Sequence, residues 1–243
     1  MNLIVEQGNT KLKVAVFDGN AIERLFIEEN GDLQRIKTII GQYRPEKGII
    51  SSVIGHDELI ISLLSERLSS FILLDEHVST PIIIDYATRD TLGNDRVAAA
   101  VGANYLQPGK NLLVIDAGTA ITYEVVEASG TYKGGNISPG MTTRFKALNR
   151  FTKQLPLVKE SDSVPVIGTS TESAILAGVV NGIVYEMDGY IDMMKERYDD
   201  VFVFLTGGHS FYFEKRLKSR TFADANLVLI GLNRILEYNA EKY

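Results

Sequence analysis

"LVIDAGTAITYEVV", residues 113–126, joins an aliphatic run that ends in Asp116 to a second run through a glycine and a hydroxyl side chain. Residues 3–16, "LIVEQGNTKLKVAV", follow the same order, with Glu6 in the acidic position and Gly8 in the turn. Short aliphatic and alternating runs separated by glycine are typical of two strands joined by a tight turn. The two stretches therefore predict a duplicated structural unit that opens with a β-hairpin.

A short strand-like segment and a helical pattern follow each predicted hairpin. In the first half these are "RLFIE", residues 24–28, and "GDLQRIKTIIGQY", residues 31–43. In the second half they are "GGNISPG", residues 134–140, and "MTTRFKALNRFTKQL", residues 141–155. Apolar residues at helical spacing predict an amphipathic helix in each case. The repeated order of elements predicts an α/β fold.

The turn "QPGKN", residues 107–111, predicts a boundary between two domains, residues 1–110 and residues 111–243. A chain of 243 residues is long enough for two domains of modest size. Residues 169–198 have the pattern of one or two helices, and each half has strands and helices of its own.

Composition narrows the classes of partner and chemistry. The formal net charge of −6 disfavours a nucleic-acid or anionic-membrane partner, because such surfaces attract clustered Lys and Arg. The chain has no cysteine, which excludes disulfides and thiolate metal sites. Its apolar runs are too short for a signal sequence or a membrane span, so we expect a cytoplasmic protein.

Glu6 and Asp116 allow two interpretations. Each is a turn residue beside a glycine that adopts a positive φ angle, or each is a carboxylate that faces a bound cation. An ionised carboxylate near a core is costly unless it is paired or faces a cation, and its repetition favours the second interpretation. Glycine also lets backbone N–H groups approach an anion, so we hypothesise that the two hairpins hold a polyphosphate. We expect Lys11 and Lys13 to leave the first hairpin on opposite sides of a strand, so that only one of them faces the polyphosphate, and the sequence does not decide which.

Three further motifs each have a structural and a functional interpretation. "TLGNDR", residues 91–96, places Asp95 and Arg96 at a predicted helix start, where Asp95 either caps the helix or accepts a proton from a substrate held by Arg96. "GTSTES", residues 168–173, predicts a capped helix start with an exposed threonine that could bind substrate. "FLTGGHS", residues 204–210, is either a tight turn or bare backbone against which a nucleoside packs.

"EQGNTKLK", "LGNDR", "DAGTAIT", "GGNISPG", "GTSTESAILAG" and "LTGG" stand in an order that closely resembles the type III pantothenate kinases. The resemblance runs through essentially the whole chain. It places the protein in the acetate and sugar kinase, Hsc70 and actin superfamily. The fold that it implies is α/β, with two duplicated ribonuclease H-like domains and the nucleotide cleft between them.

The resemblance also implies an activity, which is the ATP-dependent phosphorylation of pantothenate to 4'-phosphopantothenate, the first step of coenzyme A biosynthesis. Implied cofactors are magnesium and a monovalent cation, potassium or ammonium. A homodimer with pantothenate bound near the subunit interface is implied as well.

Site residues carry over at the matching positions. In the resemblance Asp95 is the proton acceptor, Asp116 lies near the monovalent cation, and Glu6 holds magnesium, directly or through water. The implied nucleotide-binding residues are Glu6, Gln7, Gly8, Asn9, Thr10, Lys11, Leu12, Lys13, Thr119, Gly207 and Gly208. The implied pantothenate-binding residues are Tyr86, Gly93, Asn94, Asp95, Arg96 and Thr171.

Position 6 departs from the family pattern, because the first loop usually begins with Asp and here it begins with Glu6, followed by Gln7. A longer acidic side chain can still hold hydrated magnesium through its waters. The departure gives some weight to a non-catalytic nucleotide-binding regulator of the same fold. A sugar or short-acid kinase of the superfamily is the other alternative, since it would share the two phosphate hairpins.

Overall fold

The computed structural model describes residues 1–55 and 57–240. His56 and residues 241–243, the end of the predicted second domain, lie outside the described residues. The described chain forms two compact units. The first comprises residues 1–108, residues 130–132 and the described residues from Asn226 onward, and the second comprises residues 109–129 and 133–225.

The first unit contains a five-stranded sheet of order β3-β2-β1-β4-β5. Its strands are β1 (Asn2–Gln7), β2 (Leu12–Asp18), β3 (Ala21–Glu28), β4 (Lys47–Ser52) and β5 (Ser70–Leu73). Strand β1 is antiparallel to β2 and parallel to β4. Its helices are α1 (Leu33–Tyr43), α2 (Glu58–Arg67) and α3 (Asn94–Leu106). The apolar faces of α1 and α2 pack with β1, β2 and β4 in one core. A short strand, β6 (Ile83–Ile84), pairs in parallel with Thr131 and Tyr132.

The second unit repeats this arrangement. Its strands are β7 (Asn111–Ala117), β8 (Ala120–Val126), β9 (Thr131–Pro139, from residue 133 onward), β10 (Val201–Thr206) and β11 (Phe222–Ala223). Their order is β11-β10-β7-β8-β9, which is the order of the first sheet with β7 in the place of β1. Strand β7 is antiparallel to β8 and parallel to β10. Its helices are α4 (Met141–Phe151), α5 (Thr171–Arg197) and α6 (Ser210–Glu214). The duplication that the two hairpin sequences predict is therefore present in the strand order, and the α/β fold is confirmed.

The C-terminal helix, α7 (Leu227–Ala240), belongs to the first unit. Its backbone lies in contact with the backbone of α3, and glycine at the crossing makes this possible. A Cβ built on Gly231 would lie only 1.8 Å from the carbonyl oxygen of Ala98. A Cβ built on Gly102 would lie 2.3 Å from the carbonyl oxygen of Leu227. The compact units thus differ from the predicted division of the chain between residues 110 and 111. The reason is that α7, near the end of the chain, packs closely against α3 of the first unit at two glycines. Among the described helices, every one is too short or too polar to cross a membrane.

Candidate active site

The turn of the first hairpin presents its backbone to solvent. The N–H of Gly8 donates to the carbonyl of Lys11 at 3.0 Å, which closes the turn between β1 and β2. Asn9 and Thr10 are exposed, and within residues 1–55 and 57–240 their N–H groups have no hydrogen-bond acceptor. The φ angle of Gly8 is not positive, and a Cβ there would lie 3.3 Å from the Lys11 oxygen, so the tightness of the turn favours glycine. The turn offers backbone N–H groups to an anion.

Glu6 is paired within the hairpin. It lies opposite Lys13 in the β1–β2 register, and the Lys13 Nζ is 2.9 Å from its carboxylate. Both side chains are mostly buried, with 15% of Glu6 and 28% of Lys13 exposed. Lys13 therefore supplies a counter-charge, and the burial of Glu6 does not by itself require a metal ion. Lys11 lies in the exposed turn, 3.5 Å from the carboxylate of Glu29.

Strand alternation does not separate the two lysines. Residues two apart in a strand share a face, and Lys11 precedes the first residue of β2. Two other predicted nucleotide-binding residues face the interior, since Gln7 is 4% exposed and Leu12 is fully buried. Only the backbone of Gln7 and Leu12 can contribute to a surface site at this turn.

The second hairpin places Asp116 at the carboxyl ends of two parallel strands. Asp116 in β7 is opposite Thr206, the last residue of β10. The N–H of Gly118 donates to the carbonyl of Ala120 at 3.1 Å, and Thr119 at the tip of the turn is exposed. The φ angle of Gly118 is not positive either. Ligands in α/β folds commonly bind at the carboxyl ends of parallel strands, and Asp116 and Thr119 share that edge.

Gly207 and Gly208 follow β10 on the same edge of the second sheet. Gly207 has a φ angle of +88°, and a Cβ there would lie 2.3 Å from the Oδ1 atom of Asp116. The N–H of His209 donates to the carbonyl of Ala117 at 3.1 Å, which ties the turn to the second hairpin. Gly208 has open space where its Cβ would lie. Only glycine at position 207 allows the turn to pack this closely against Asp116, whereas a side chain at position 208 would meet no other atom of the protein within 4 Å of its Cβ.

An open cavity of about 340 Å³ lies beside this turn. His209 contributes to its wall and accepts or donates a hydrogen bond to Glu160 at 3.1 Å. Thr142, Phe145 and Lys146, which share one face of α4, form another part of the wall. Gly207 and Gly208 thus lie next to the second hairpin, with the cavity beside their turn in the same unit.

Helix α4 begins against the second hairpin, a contact that sequence patterns did not predict. The carbonyl of Thr119 accepts hydrogen bonds from the N–H of Gly140 at 3.0 Å and from the hydroxyl of Thr143 at 2.7 Å. A Cβ on Gly140 would lie 2.2 Å from the carbonyl oxygen of Gly118. The glycine after Pro139 is the only sequence signal for this approach, and it also fits an ordinary turn.

Tyr86, Asp95 and Arg96 lie together in the first unit. Arg96 is only 6% exposed, and its guanidinium carbon is 5.8 Å from the centre of the Tyr86 ring. The side chain of Asn94 donates to the carbonyl of Leu74 at 2.8 Å, which fixes the start of α3. A buried arginine within cation–π distance of an aromatic ring is held rigidly, and guanidinium groups commonly bind carboxylates. The structure therefore brings three residues that the sequence singled out, the acidic Asp95, the basic Arg96 and the aromatic Tyr86, close to the start of α3.

Asp95 is not the N-cap of α3. The N-cap is Gly93, whose Cβ, if present, would lie 2.6 Å from the Oδ1 atom of Asp95. That same Oδ1 accepts the N–H of Arg96 at 2.9 Å, so Asp95 satisfies one free N–H group of the first turn. Asp95 is partly exposed, which leaves its carboxylate accessible to a substrate.

Thr171 lies in the second unit, as the first residue of α5. Ser170 is the N-cap and forms a capping box with Ser173, so Thr171 is not needed as a cap and its side chain is exposed. It lies at the rim of an open, largely apolar groove of about 720 Å³ between α4 and α5. Leu148, Leu155, Ile175 and Val179 line that groove.

A partly buried polar network holds α4 and α5 together next to the groove. The carboxylate of Glu186 accepts hydrogen bonds from the Tyr123 hydroxyl and from Arg144, both at 2.6 Å. Burial acts to raise the pKa of Glu186, but hydrogen bonds from Ser138, Tyr123 and Arg144 outweigh burial and hold that pKa below its usual value. Burial and the contact with Glu186 raise the pKa of Tyr123 far above its usual range. The carboxylate form of Glu186 is thus part of the folded structure.

Oxygen donors are present for hard cations, but they are few. Asp116 is a partly exposed carboxylate at the strand ends, and Glu6 is a carboxylate at the equivalent place in the first unit. No cluster of three or more His, Cys, Asp or Glu residues within the described chain could hold a metal ion. Magnesium usually keeps several waters and takes few protein ligands, so such sparse donors fit a hydrated ion that is bound mainly to phosphate.

Comparison with known proteins identifies the family of the chain. A model of the type III pantothenate kinase family matches residues 2–193. A type III pantothenate kinase of Bacteroides fragilis is 48% identical over 239 residues, which cover 98% of each chain. A type III pantothenate kinase of Porphyromonas gingivalis is 45% identical over 241 residues, again covering 98% of each chain.

Solved structures show the fold. Component A of (R)-2-hydroxyglutaryl-CoA dehydratase from Acidaminococcus fermentans superposes with a TM-score of 0.55 at 17% identity, covering 99% of this chain and 98% of that one. The activator of 2-hydroxyisocaproyl-CoA dehydratase from Clostridium difficile, with bound ADPNP, has a TM-score of 0.54 at 11% identity and covers 99% and 94%. Strand order and these similarities agree with two ribonuclease H-like domains.

Proposed function

Because the chain belongs to the type III pantothenate kinase family, we propose that it phosphorylates pantothenate on its primary hydroxyl group with ATP, the first step toward coenzyme A. The observation that carries this proposal is the grouping of Tyr86, Asp95 and Arg96 at the start of α3. Arg96 supplies a fixed positive charge for the pantothenate carboxylate, and Asp95 supplies a carboxylate within one residue of it.

Asp95 acts as the proton acceptor in this proposal. The pantothenate hydroxyl oxygen forms a bond to the γ-phosphorus of ATP while the bond from that phosphorus to the β–γ bridging oxygen breaks. The proton of the hydroxyl passes to Asp95, and ADP leaves with the bridging oxygen. Phosphoryl transfer of this kind depends mainly on positioning and on neutralising charge.

Each hairpin contributes to nucleotide binding in this proposal. The free N–H groups of Asn9 and Thr10 are donors for phosphate oxygens, as are the N–H and hydroxyl of Thr119. Magnesium would neutralise phosphate charge, with Glu6 reaching its waters, and Asp116 would hold the monovalent cation, potassium or ammonium. Gly207 and Gly208 would lie on the adenosine side.

A homodimer is part of the proposal, and the groove between α4 and α5 supports it. The groove is apolar, open and rimmed by Thr171, which is a proposed pantothenate contact. Gly178 is exposed in the groove, with open space at its Cβ position. Gly178→Arg should therefore fold but convert the dimer to a monomer in light scattering. A variant that stays dimeric would show that the groove is not the interface.

The activity is tested by coupled ADP release with magnesium, potassium and either pantothenate or glucose as acceptor. Release of ADP with pantothenate but not with glucose supports pantothenate kinase activity. Release with neither acceptor, despite ATP binding, would favour a regulator, and release with glucose would favour a sugar kinase.

The assignment of the base is tested by Asp95→Asn, with Asp90→Asn as the matched control. Asp90 is an exposed acid in the turn just before α3. Loss of a general base should lower kcat by about 10²–10⁴-fold while the KM for ATP stays close to the wild-type value. If Asp95→Asn turned over as fast as Asp90→Asn, Asp95 would not be the base.

A further inference from the structure

We infer that Asn30 in the first unit and Thr143 in the second are positioning residues that fix the two phosphate turns by binding a carbonyl oxygen of each turn. The inference rests on the proposed function, because it assigns those turns to the phosphates of the nucleotide. Neither residue belongs to the motifs by which the family resemblance was identified.

Asn30 reaches the first turn from a distant part of the chain. It lies between the end of β3 at Glu28 and the start of α1 at Leu33. Its Nδ2 group donates to the carbonyl of Gly8 at 3.0 Å. Its Oδ1 atom is buried and has no hydrogen-bond partner within the described chain. A buried unsatisfied acceptor lowers stability, so the side chain makes the Gly8 contact at the expense of its own oxygen.

The Gly8 contact determines where the next N–H group points. A peptide group is planar and trans, so the C=O of Gly8 and the N–H of Asn9 point in opposite directions. Because Asn30 holds the carbonyl on one side, the N–H of Asn9 is directed to the other. That N–H has no acceptor within the described chain and is available to an anion.

Thr143 makes a comparable contact in the second unit, one residue further along the aligned turn. It is the third residue of α4, the helix that follows β9, just as α1 follows β3. Its hydroxyl donates at 2.7 Å to the carbonyl of Thr119, which also accepts the N–H of Gly140. The N–H and the hydroxyl of Thr119 have no partner within the described chain. Each unit therefore holds one carbonyl of its turn with a side-chain donor near the start of the following helix, from the loop before α1 in the first unit and from within α4 in the second.

A fixed turn binds phosphate more tightly than a mobile one. Ordering a loop on binding reduces affinity, so a turn that is already held in its binding geometry avoids that loss. Removing the donor should weaken ATP binding. The KM for pantothenate and the rate of the bound complex should change little, because neither residue is near Asp95 in sequence or within its hydrogen-bond partners.

Thr143→Val removes the hydroxyl and keeps the shape of the side chain, and Thr143→Ser restores the donor. Thr152→Val is the matched control, because Thr152 at the other end of α4 donates to the carbonyl of Leu148, also at 2.7 Å. For the first unit, Asn30→Ala is compared with Asn239→Ala, which loses a 2.9 Å amide contact to the Ser79 carbonyl.

The measurements are the Kd for magnesium ATP by titration calorimetry, the KM values for ATP and pantothenate, and the thermal unfolding midpoint. We expect about three- to tenfold weaker ATP binding in Thr143→Val and Asn30→Ala, as for one hydrogen bond, with recovery in Thr143→Ser. Unchanged ATP affinity, or a fall in midpoint alone, would overturn the inference. If the wild type binds ATP but releases no ADP with pantothenate, the proposed function fails, while the ATP affinities of the variants still decide this inference.

Discussion

Replacing Gly207 with alanine should destabilise the second unit and displace Asp116. Gly207 has a φ angle of +88°, and its new Cβ would lie 2.3 Å from the Asp116 Oδ1 atom. It would also lie 2.7 and 2.8 Å from the backbone C and N atoms of Ala117. The carboxylate can rotate away, but Ala117 is the last residue of β7 and is held in the sheet. The backbone of the turn or of the strand must therefore move.

Two effects contribute to the expected loss of stability. The left-handed backbone conformation costs about 1–2 kcal/mol for a residue with a Cβ. Inserting a methyl group into a packed region costs about 1–3 kcal/mol. Together they amount to roughly 2–5 kcal/mol, a large part of the ~5–15 kcal/mol by which a domain is usually stable.

Equilibrium unfolding in urea, followed by circular dichroism, measures this loss. Gly208→Ala is the control, because its φ angle is not positive and its Cβ would meet no atom within 4 Å. We expect Gly207→Ala to unfold at a clearly lower urea concentration and Gly208→Ala to unfold with the wild type. Equal midpoints for all three proteins would refute the assigned contact. In Gly208→Ala, weaker ATP binding without loss of stability would support a nucleoside beside that glycine.

Three other substitutions probe the two units. Asp116→Asn should raise the potassium concentration needed for half-maximal activity and the KM for ATP, and a potassium titration that matches the wild type would contradict its cation role. Arg96→Lys should raise the KM for pantothenate by about tenfold and leave that for ATP unchanged, because a lysine loses the planar fork next to Tyr86. Glu186 has a lowered pKa in the folded state, so its contribution to stability is present above its unfolded-state pKa and is lost as the pH falls through the folded-state value. In urea unfolding at a series of pH values, the midpoint of Glu186→Gln should therefore fall less than that of the wild type over that acidic interval. At neutral pH its midpoint should be lower than that of the wild type, because the contact with Arg144 is weakened.

The duplicated hairpins were predictable from sequence because their signals are local. An aliphatic run, an acid, a glycine and an alternating run define β1–β2 and β7–β8 without reference to the rest of the chain. The helices after them follow from apolar spacing in the same way. The strand order around them then repeats, as the duplication requires.

The placement of α7 was not predictable, because it depends on a close backbone contact at two glycines, which have no side chain to keep the helices apart. Gly102 and Gly231 let α3 and α7 touch through their backbones, and in the sequence each is a single glycine within a helical pattern. The same holds for Gly207 against Asp116, which are 91 residues apart in the chain but adjacent at the ends of β7 and β10. Sequence patterns report which residues are apolar, and they do not report which backbones approach each other.

The pairing of Glu6 gives the two copies of the hairpin different electrostatics. Glu6 lies opposite Lys13 in its hairpin, whereas the residue opposite Asp116 is Thr122, which has no charge. The acid of the first copy is thus paired with a lysine across its own hairpin, whereas the residue across the second hairpin from Asp116 carries no charge. The lysine beside Glu6 weakens the attraction of that carboxylate for a cation, but a hydrated ion that is already bound to phosphate can accept a weaker contact. The pairing of Glu6 with Lys13 therefore favours a water-mediated magnesium contact over a direct one in the proposed site.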